Sequence, residues 1–397
     1  MKQYPKAIPN FPQSEYITGV SMGREVYHTA IGDMWPLTWG YDDNIYAAAG
    51  DNRGSPMNLW RIWGIPERDA RGHSHDWTSD IINDFPVDPL ELFSKHSVQG
   101  VNLTRGIKPA GLLDIDGTLF MAVETMNYGE DDEFTRQKNL TGFIISSYDY
   151  GVTWNKELTS IDFFSGRLAS CHFLQFGAGY RNSRDEYVYA YFPGADDGCS
   201  YWENGDYMLL GRVLLDCEGR GKTTQDIVRN KYDMLIREAW EFYAGTDSDG
   251  SPIWDHDDAN AQPVFRYNYM TGENHVSYNA GIGRYIMGNY SFIDEDLNPL
   301  PYHSIEKKFV NSVGKAGKGL DDIRSQLTLF ESPEPWGPWS LFYRDDKWGA
   351  VAAYQPSFPT KWMYDGGKKM FMVYSGIADD YNFSVKKLIL DIDETKR

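Results

Sequence analysis

Residues 109–124 read PAGLLD-IDG-TLFMAVE: an opening apolar strand, a tight Asp/Gly turn, then a second strand whose every position but the last is apolar or small. Apolar runs joined across an Asp/Gly turn are a hairpin signal. The same three-part phrase recurs along the chain, as PLTW-GYDDN-IYAAAG at 36–50, FLQFG-AGYRNSRD-EYVYAYF at 173–192, HVSYN-AGIG-RYIMGNY at 275–290 and FPTKW-MYDGGK-KMFMVYSG at 358–376. Each is followed by a third strand: LWRIWG at 59–64, TGFIISS at 141–147, YMLLGRVLL at 207–215, SQLTLFE at 325–331 and FSVKKLIL at 383–390. Repeated antiparallel units of this kind are propeller blades. The reading is an all-β, five-bladed β-propeller forming a single domain over 1–397. Its blades span roughly 23–100, 101–165, 166–265, 266–350 and 351–397. The last blade lacks an outer strand, so the segment around Tyr16–Met22 is expected to close the ring.

Composition agrees. With 27 Tyr, 20 Phe and 13 Trp, the chain has the aromatic side chains that suit a pleated, half-buried surface. The 57 acidic residues outnumber the 38 basic ones, and a formal charge of −19 repels a phosphate backbone, which argues against nucleic acid as a partner. No apolar run is long enough to span a membrane. The start of the chain shows no apolar leader segment, and a secreted or periplasmic protein is expected with its leader removed. Cys171, Cys199 and Cys217 form neither a disulfide framework nor a zinc motif. Oligomeric state has no signature in the sequence.

Helical periodicity is confined to Lys222–Arg237, an insertion between strands, and Ser304–Ile323 reads as a long surface loop. Ser147-Tyr-Asp149-Tyr-Gly151-Val-Thr153-Trp154 fits the Asp-box pattern of sialidase-like propellers. In such a turn the Ser and Asp side chains satisfy backbone donors while Trp packs beneath, so Asp149 is structural.

In a propeller the innermost strands converge on one axis, and chemistry is expected where they begin. Those positions hold Asp33 and Trp35, Arg105 and Lys108, His172, Asn274 and His275, then Tyr354 and Gln355. Asp33 enters the first inner strand, and Asp51 follows the strand that returns beside it, so the hairpin places both carboxylates at one edge of the blade. A carboxyl pair is what glycoside hydrolysis needs, one to protonate the leaving oxygen and one to attack or to activate water. A rival set is Arg105, Lys108, His172 and His275, with Tyr27, Tyr180 or Tyr354 nearby. It could serve a uronate lyase, with a cation neutralising the carboxylate and His172 or a Tyr moving the proton. Trp35, Arg105, Lys108, Asn274, His275, Tyr354 and Gln355 would line the substrate. No cofactor is required. A structural divalent cation would find oxygen ligands in the Asp247–Asp258 loop, which lacks the Glu of an EF-hand, or near His73, His75 and His96.

The runs GDMWPLTW…IYAAAGDN, IKPAGLLDIDGTLFM, SYDYGVTW, RDEYVYAY, AWEFYAGTDSDGSPIW, ESPEPWGPWSLFY and YQPSFPTKWM…MFMVYSG resemble a bacterial and phage β-propeller family of formerly unknown function that includes endo-D-arabinanases. The resemblance covers about residues 15–392. It implies a five-bladed glycoside hydrolase in which Asp33 and Asp51 stand where two catalytic aspartates act. The hydrolases more often read Gly-Asp-Thr where this chain reads Gly50-Asp51-Asn52. In general layout the chain is also similar to propeller-fold rhamnose–glucuronate lyases.

Three functions are therefore expected to compete: a glycoside hydrolase using Asp33 and Asp51, a polysaccharide lyase using His172, Arg105 and Tyr, and a non-catalytic glycan-binding propeller. All three take a polysaccharide or oligosaccharide partner.

Overall fold

The computed structural model describes residues 9–52, 55–67, 78–83, 106–129, 138–155, 159–202, 205–215, 233–294, 296–299, 324–348, 353–377 and 380–396. At 24–31, 51–52, 55–56, 78–83, 324, 376–377 and 380–382 the description is of the backbone alone.

The strand β1 (Ile17–Ile31) comes first in the chain and is used last in the ring. Blade one is β2 (Asp33–Trp39), β3 (Ile45–Asn52), β4 (Ser55–Trp63) and β5 (Thr78–Asn83), paired in that order. Blade two runs from β6 (Ile107–Ile115) through β7 (Thr118–Thr125); after a short β8 (Lys138–Asn139), it continues with β9 (Thr141–Ser147) and β10 (Phe164–Ser165). Blade three holds β11 (His172–Phe173) and β12 (Tyr187–Gly194), and beyond the short β13 (Ser200–Tyr201) it continues with β14 (Gly205–Leu214), β15 (Glu241–Thr246) and β16 (Pro252–Asp255). The strand β17 (Phe265–Thr271) shares the outer edge of β14 with β15, and β13 pairs with β8 to tie blades two and three. Blade four is β18 (His275–Asn279), β19 (Arg284–Ile293), β20 (Arg324–Ser332) and β21 (Ser340–Asp345). Blade five is β22 (Tyr354–Ser357), β23 (Lys369–Ile377) and β24 (Asp380–Ile392), and β1 is its outer strand.

The chain is thus a five-bladed β-propeller closed by its N-terminal strand, with Ile17 opposite Ile392 and Met22 opposite Leu388. The inner strands complete the circle, β2 packing on β6, β6 on β11, β11 on β18, β18 on β22 and β22 back on β2. The packing explains why the second strands read as continuous apolar runs. Every residue of β7 is buried, because each face of a blade meets a neighbouring blade. Gly111 marks how closely blades approach, since a Cβ there would lie 2.4 Å from the Cys171 carbonyl oxygen.

Several local expectations are adjusted. The opening strand of blade five is Tyr354–Ser357, and Thr360–Trp362 within FPTKW is a single 3-10 turn. Of the helical stretch Lys222–Arg237, residues 222–232 lie outside the described residues, and Asp233–Leu235 and Arg237–Ala239 are 3-10 turns. Ser304–Ile323 also lies outside them. Cys171 and Cys199 are free thiols. Among the described residues no helix is long and apolar enough to cross a membrane.

The Asp-box turn follows the geometry its sequence implies. Asp149 Oδ1 accepts from the Thr153 backbone N–H at 2.8 Å and Oδ2 from the Thr153 hydroxyl at 2.6 Å, while Ser147 Oγ accepts from the Gly151 N–H at 2.7 Å. Trp154 packs against the core below. Asp149→Ala removes the acceptor for both Thr153 donors, and it is expected to cost about 1–3 kcal/mol. Urea unfolding should show a lower midpoint at unchanged slope; an unchanged midpoint would mean the turn holds without its carboxylate.

Candidate functional site

The five inner strands bring their first residues to one end of the axis. Three of them bulge there. Register slips between Met34 and Leu37 in β2, between Pro109 and Gly111 in β6, and between Tyr354 and Ser357 in β22. Met34, Trp35 and Gln355 hold φ values of 78°, 53° and 55°, a left-handed conformation that L residues adopt at a cost of order 1–3 kcal/mol each. Bulges re-aim side chains, and each of these lies directly beside an axial polar residue: Asp33, Lys108 or Gln355.

At the centre Lys108 Nζ donates to Asp33 Oδ1 at 2.9 Å and to Oδ2 at 3.2 Å, and the Tyr354 hydroxyl donates to Asp33 Oδ2 at 3.3 Å. Both members of the ion pair are buried. The space they occupy is the side chain that Gly50 lacks. Gly50 lies opposite Asp33 in the β2–β3 ladder, and a Cβ on it would fall 2.5 Å from Asp33 Oδ1 and 2.6 Å from Lys108 Nζ.

Two glutamates that the sequence did not single out complete the cluster. Glu124, the penultimate residue of β7, lies directly across from Lys108, and Glu273 lies two residues before β18. Both are fully buried. Asn139 Nδ2 donates to Glu124 Oε2 at 2.8 Å, Gln355 Nε2 donates to Glu273 Oε2, and the two carboxyls lie close enough to influence each other. Burial pushes the Glu273 carboxyl well up, and the neighbouring Glu124 and Asp33 charges push it further, while Lys108 opposes them. Glu124 is also raised by burial, against the pull of Glu273, Ser170, Lys108 and Asn139. Glu273 is therefore the natural holder of a proton and Glu124 its acceptor.

The imidazoles stand beside this cluster. His172 Nε2 lies 2.7 Å from Ser170 Oγ, and the rings of His172 and His275 are 5.1 Å apart between centroids. Burial carries His275 down to about 4 and His172 well below the usual histidine range, so both are neutral near pH 7. Asn274 is buried next to His275, its amide nitrogen 3.9 Å from Met287 Sδ.

Of the residues expected from sequence, Asp33, Lys108, Tyr354 and Gln355 join the carboxyl cluster through hydrogen bonds, and His172, Asn274 and His275 border it. Trp35 does not. Its ring is buried between blades one and five, edge-on to Phe383 at 5.1 Å, so it is core and not a sugar platform. The positive φ turns it away from the axis to fill that gap. Tyr180 is committed elsewhere, its hydroxyl donating to the Tyr187 carbonyl and accepting from the Tyr189 N–H. Asp51 is described by its backbone alone, one residue beyond the partner of Asp33. Arg105, His73, His75 and His96 lie outside the described residues, and so does the side chain of Tyr27.

The Asp247–Asp258 loop spends its carboxylates on its own turns. Asp247 Oδ1 accepts from the Asp249 and Ser251 N–H groups, both at 2.9 Å, and Asp255 from the Asp257 N–H and Asn260. Asp258 pairs with Arg237. Among the described residues no three His, Cys, Asp or Glu side chains are grouped as metal ligands would be.

No family model matches the chain, and neither does any curated protein sequence. The resemblance to the endo-D-arabinanase family thus stands on its sequence motifs. Among solved structures, the chain is similar to the catalytic domain of a Coprinopsis cinerea GH62 alpha-L-arabinofuranosidase at 8% identity, covering 97% of this chain and 98% of that one, with a TM-score of 0.43. It is similar to a GH43_1 enzyme from Xanthomonas citri complexed with xylotriose, at 10% identity over 92% and 89% of the two chains, TM-score 0.45. A third is the endo-arabinase from Bacteroides thetaiotaomicron VPI-5482, at 8% identity over 96% and 99%, TM-score 0.40.

Proposed function

We propose that this protein is a glycoside hydrolase acting on a polysaccharide or oligosaccharide, with its reaction centre at the axial end where Asp33 meets Lys108. The observation that supports this reading is the charge balance of the site. Among the described residues, three carboxyl groups, Asp33, Glu124 and Glu273, share the axis with the ammonium of Lys108 and two neutral imidazoles. With one proton held between the glutamates, that set carries a net charge of about −1. A net negative, partly dehydrated site favours the positive charge that builds on a sugar ring as a glycosidic bond breaks.

The same balance disfavours a uronate lyase. Elimination next to a carboxylate requires a cation to neutralise that carboxylate and the charge that develops on it. Lys108 is already engaged by Asp33, and three carboxyls in its surroundings would repel an anionic sugar.

Asp33 is proposed as one of the two working carboxylates, since it stands at the start of an inner strand and accepts hydrogen bonds from Lys108 and Tyr354. Asp51 is proposed as the second. The β2–β3 ladder, with Asp33 opposite Gly50, brings its backbone to the same end of the blade. Extracellular or periplasmic action on a glycan would suit this chemistry.

The test is a panel of plant, algal and mycobacterial polysaccharides, assayed for new reducing ends and for the absorbance of an unsaturated uronate. The expected outcome is reducing ends alone, with Asp33→Asn and Asp51→Asn each folded and slowed by roughly 10²–10⁴-fold, because an amide cannot replace a proton-transferring or nucleophilic carboxylate. An unsaturated product, full activity in Asp33→Asn, or affinity without turnover would each overturn the proposal.

Lys108→Met separates charge pairing from chemistry. It takes the Lys108 ammonium away from the buried Asp33 carboxylate, and it should cost about 3–5 kcal/mol in urea unfolding. Adding Asp33→Asn to it should return most of that loss. Equal losses in the single and double variants would show that the lysine matters for packing alone.

A further inference from the structure

The Glu124–Glu273 pair is fully buried beside the ion pair. We infer that these two glutamates act as one proton-sharing unit that positions Lys108 against Asp33, and that loss of the shared proton sets the alkaline limit of activity. For its activity readout this inference rests on the hydrolase reading.

The geometry carries it. Each glutamate has one oxygen engaged by an amide donor, Glu124 Oε2 by Asn139 and Glu273 Oε2 by Gln355. Each has its other oxygen, Oε1, buried without a hydrogen-bond partner among the described residues. Two carboxylate oxygens left bare in a dry site would cost several kcal/mol. A single proton between the two side chains serves both.

The position of the pair gives that proton its consequence. Lys108 on β6 is the direct cross-strand neighbour of Glu124 on β7, and both glutamates feel its charge. Among the described residues, the other groups facing the pair are Asp33 on β2, Asn139 on β8, Gln355 on β22, and Ser170 and His172 at the entry of blade three. The imidazoles are neutral, so among the described residues Lys108 is the cation the pair competes for. With the proton in place the pair carries −1, and Lys108 satisfies both it and Asp33. When the Glu273 O–H gives its proton to solvent base, the pair becomes −2 and draws the ammonium from Asp33. The orientation of Asp33 and the charge facing it then change, although the proton is lost at Glu273.

A carboxyl raised by burial keeps its proton in the fold at pH values where the unfolded chain has released it. The folded state therefore binds more protons, and stability falls as pH rises from about 4.3, the ordinary glutamate value, to the folded value. Asp114, at the far end of β6, is also raised by burial, to about 7, and adds a slope of the same sign. It is untouched by substitution at Glu273, so the difference between proteins isolates the pair.

Glu273→Gln supplies an N–H that cannot be lost. Urea unfolding between about pH 5 and pH 8 should show a flatter decline of stability in Glu273→Gln than in the native chain. The ratio of its activity at about pH 8 to that at about pH 6 should rise by roughly tenfold, because the alkaline limb of the profile no longer falls within that range. Glu124→Gln, which donates in the reverse direction, should change both readouts likewise and serves if the first variant does not fold. Parallel stability curves and an unmoved alkaline limb would overturn the inference. So would a Glu273→Gln that is as slow as Asp33→Asn at every pH, which would make the residue a catalytic contact. If no polysaccharide is cleaved, the hydrolase reading fails by itself, and the stability comparison still decides whether the pair shares a proton.

Discussion

Taking an ammonium out of water costs several kcal/mol, and the loss is recovered only where a carboxylate meets it at hydrogen-bonding distance with its remaining oxygens satisfied. Lys108 is placed under that condition at the axis of the propeller, where blades one, two, four and five each send a polar group toward it or toward its partners. Asp33 supplies the direct pair. Tyr354 holds the second oxygen of Asp33, and Gly50 is a glycine because the pair fills the volume a side chain would need. A purely structural axis could be closed with small apolar residues at far lower cost. The three carboxyls and two imidazoles that the described residues gather around Lys108 make sense as chemistry, because buried titratable groups that push one another apart in proton affinity are the raw material of acid–base catalysis.

The fold prepares this arrangement by sacrificing regularity at a few points. β2, β6 and β22 each break register within two residues of their axial polar group, and Met34, Trp35 and Gln355 take a left-handed backbone to do so. Such strain persists only where surrounding packing over-determines it. That packing is the apolar second and third strands of the blades, and the N-terminal strand that locks blade five through its long ladder with β24. Stability is therefore concentrated between blades, and the distortion sits at their inner ends.

The blades are legible in the sequence because their signal is repetitive: hairpin turns between apolar runs, five times, with a third strand at the expected place after each. The site is legible only in places. Asp33, Lys108, His172, His275, Tyr354 and Gln355 are found by asking what stands where an inner strand begins. Trp35 satisfies the same rule and is nevertheless core, because a bulge that cannot be read from sequence rotates it between blades one and five. Glu124 and Glu273 escape for the opposite reason. Glu124 belongs to a second strand, and only the register of β7 against β6 reveals that it faces Lys108. Its one visible trace is a lone carboxylate closing the otherwise apolar run TLFMAVE. Glu273 stands ahead of Asn274 and His275, outside β18, where a rule built on the first residues of inner strands does not reach.

What gives the site its character is a proton retained by carboxyl groups at a pH where carboxyls in water have lost theirs. Difference infrared spectroscopy of protein carrying isotope-labelled glutamate, compared with Glu273→Gln near pH 7, reads that proton directly through the carbonyl stretch of a protonated acid. The native protein should show a protonated glutamate band that disappears in the variant. A native spectrum in which every glutamate is ionised would contradict the shared proton.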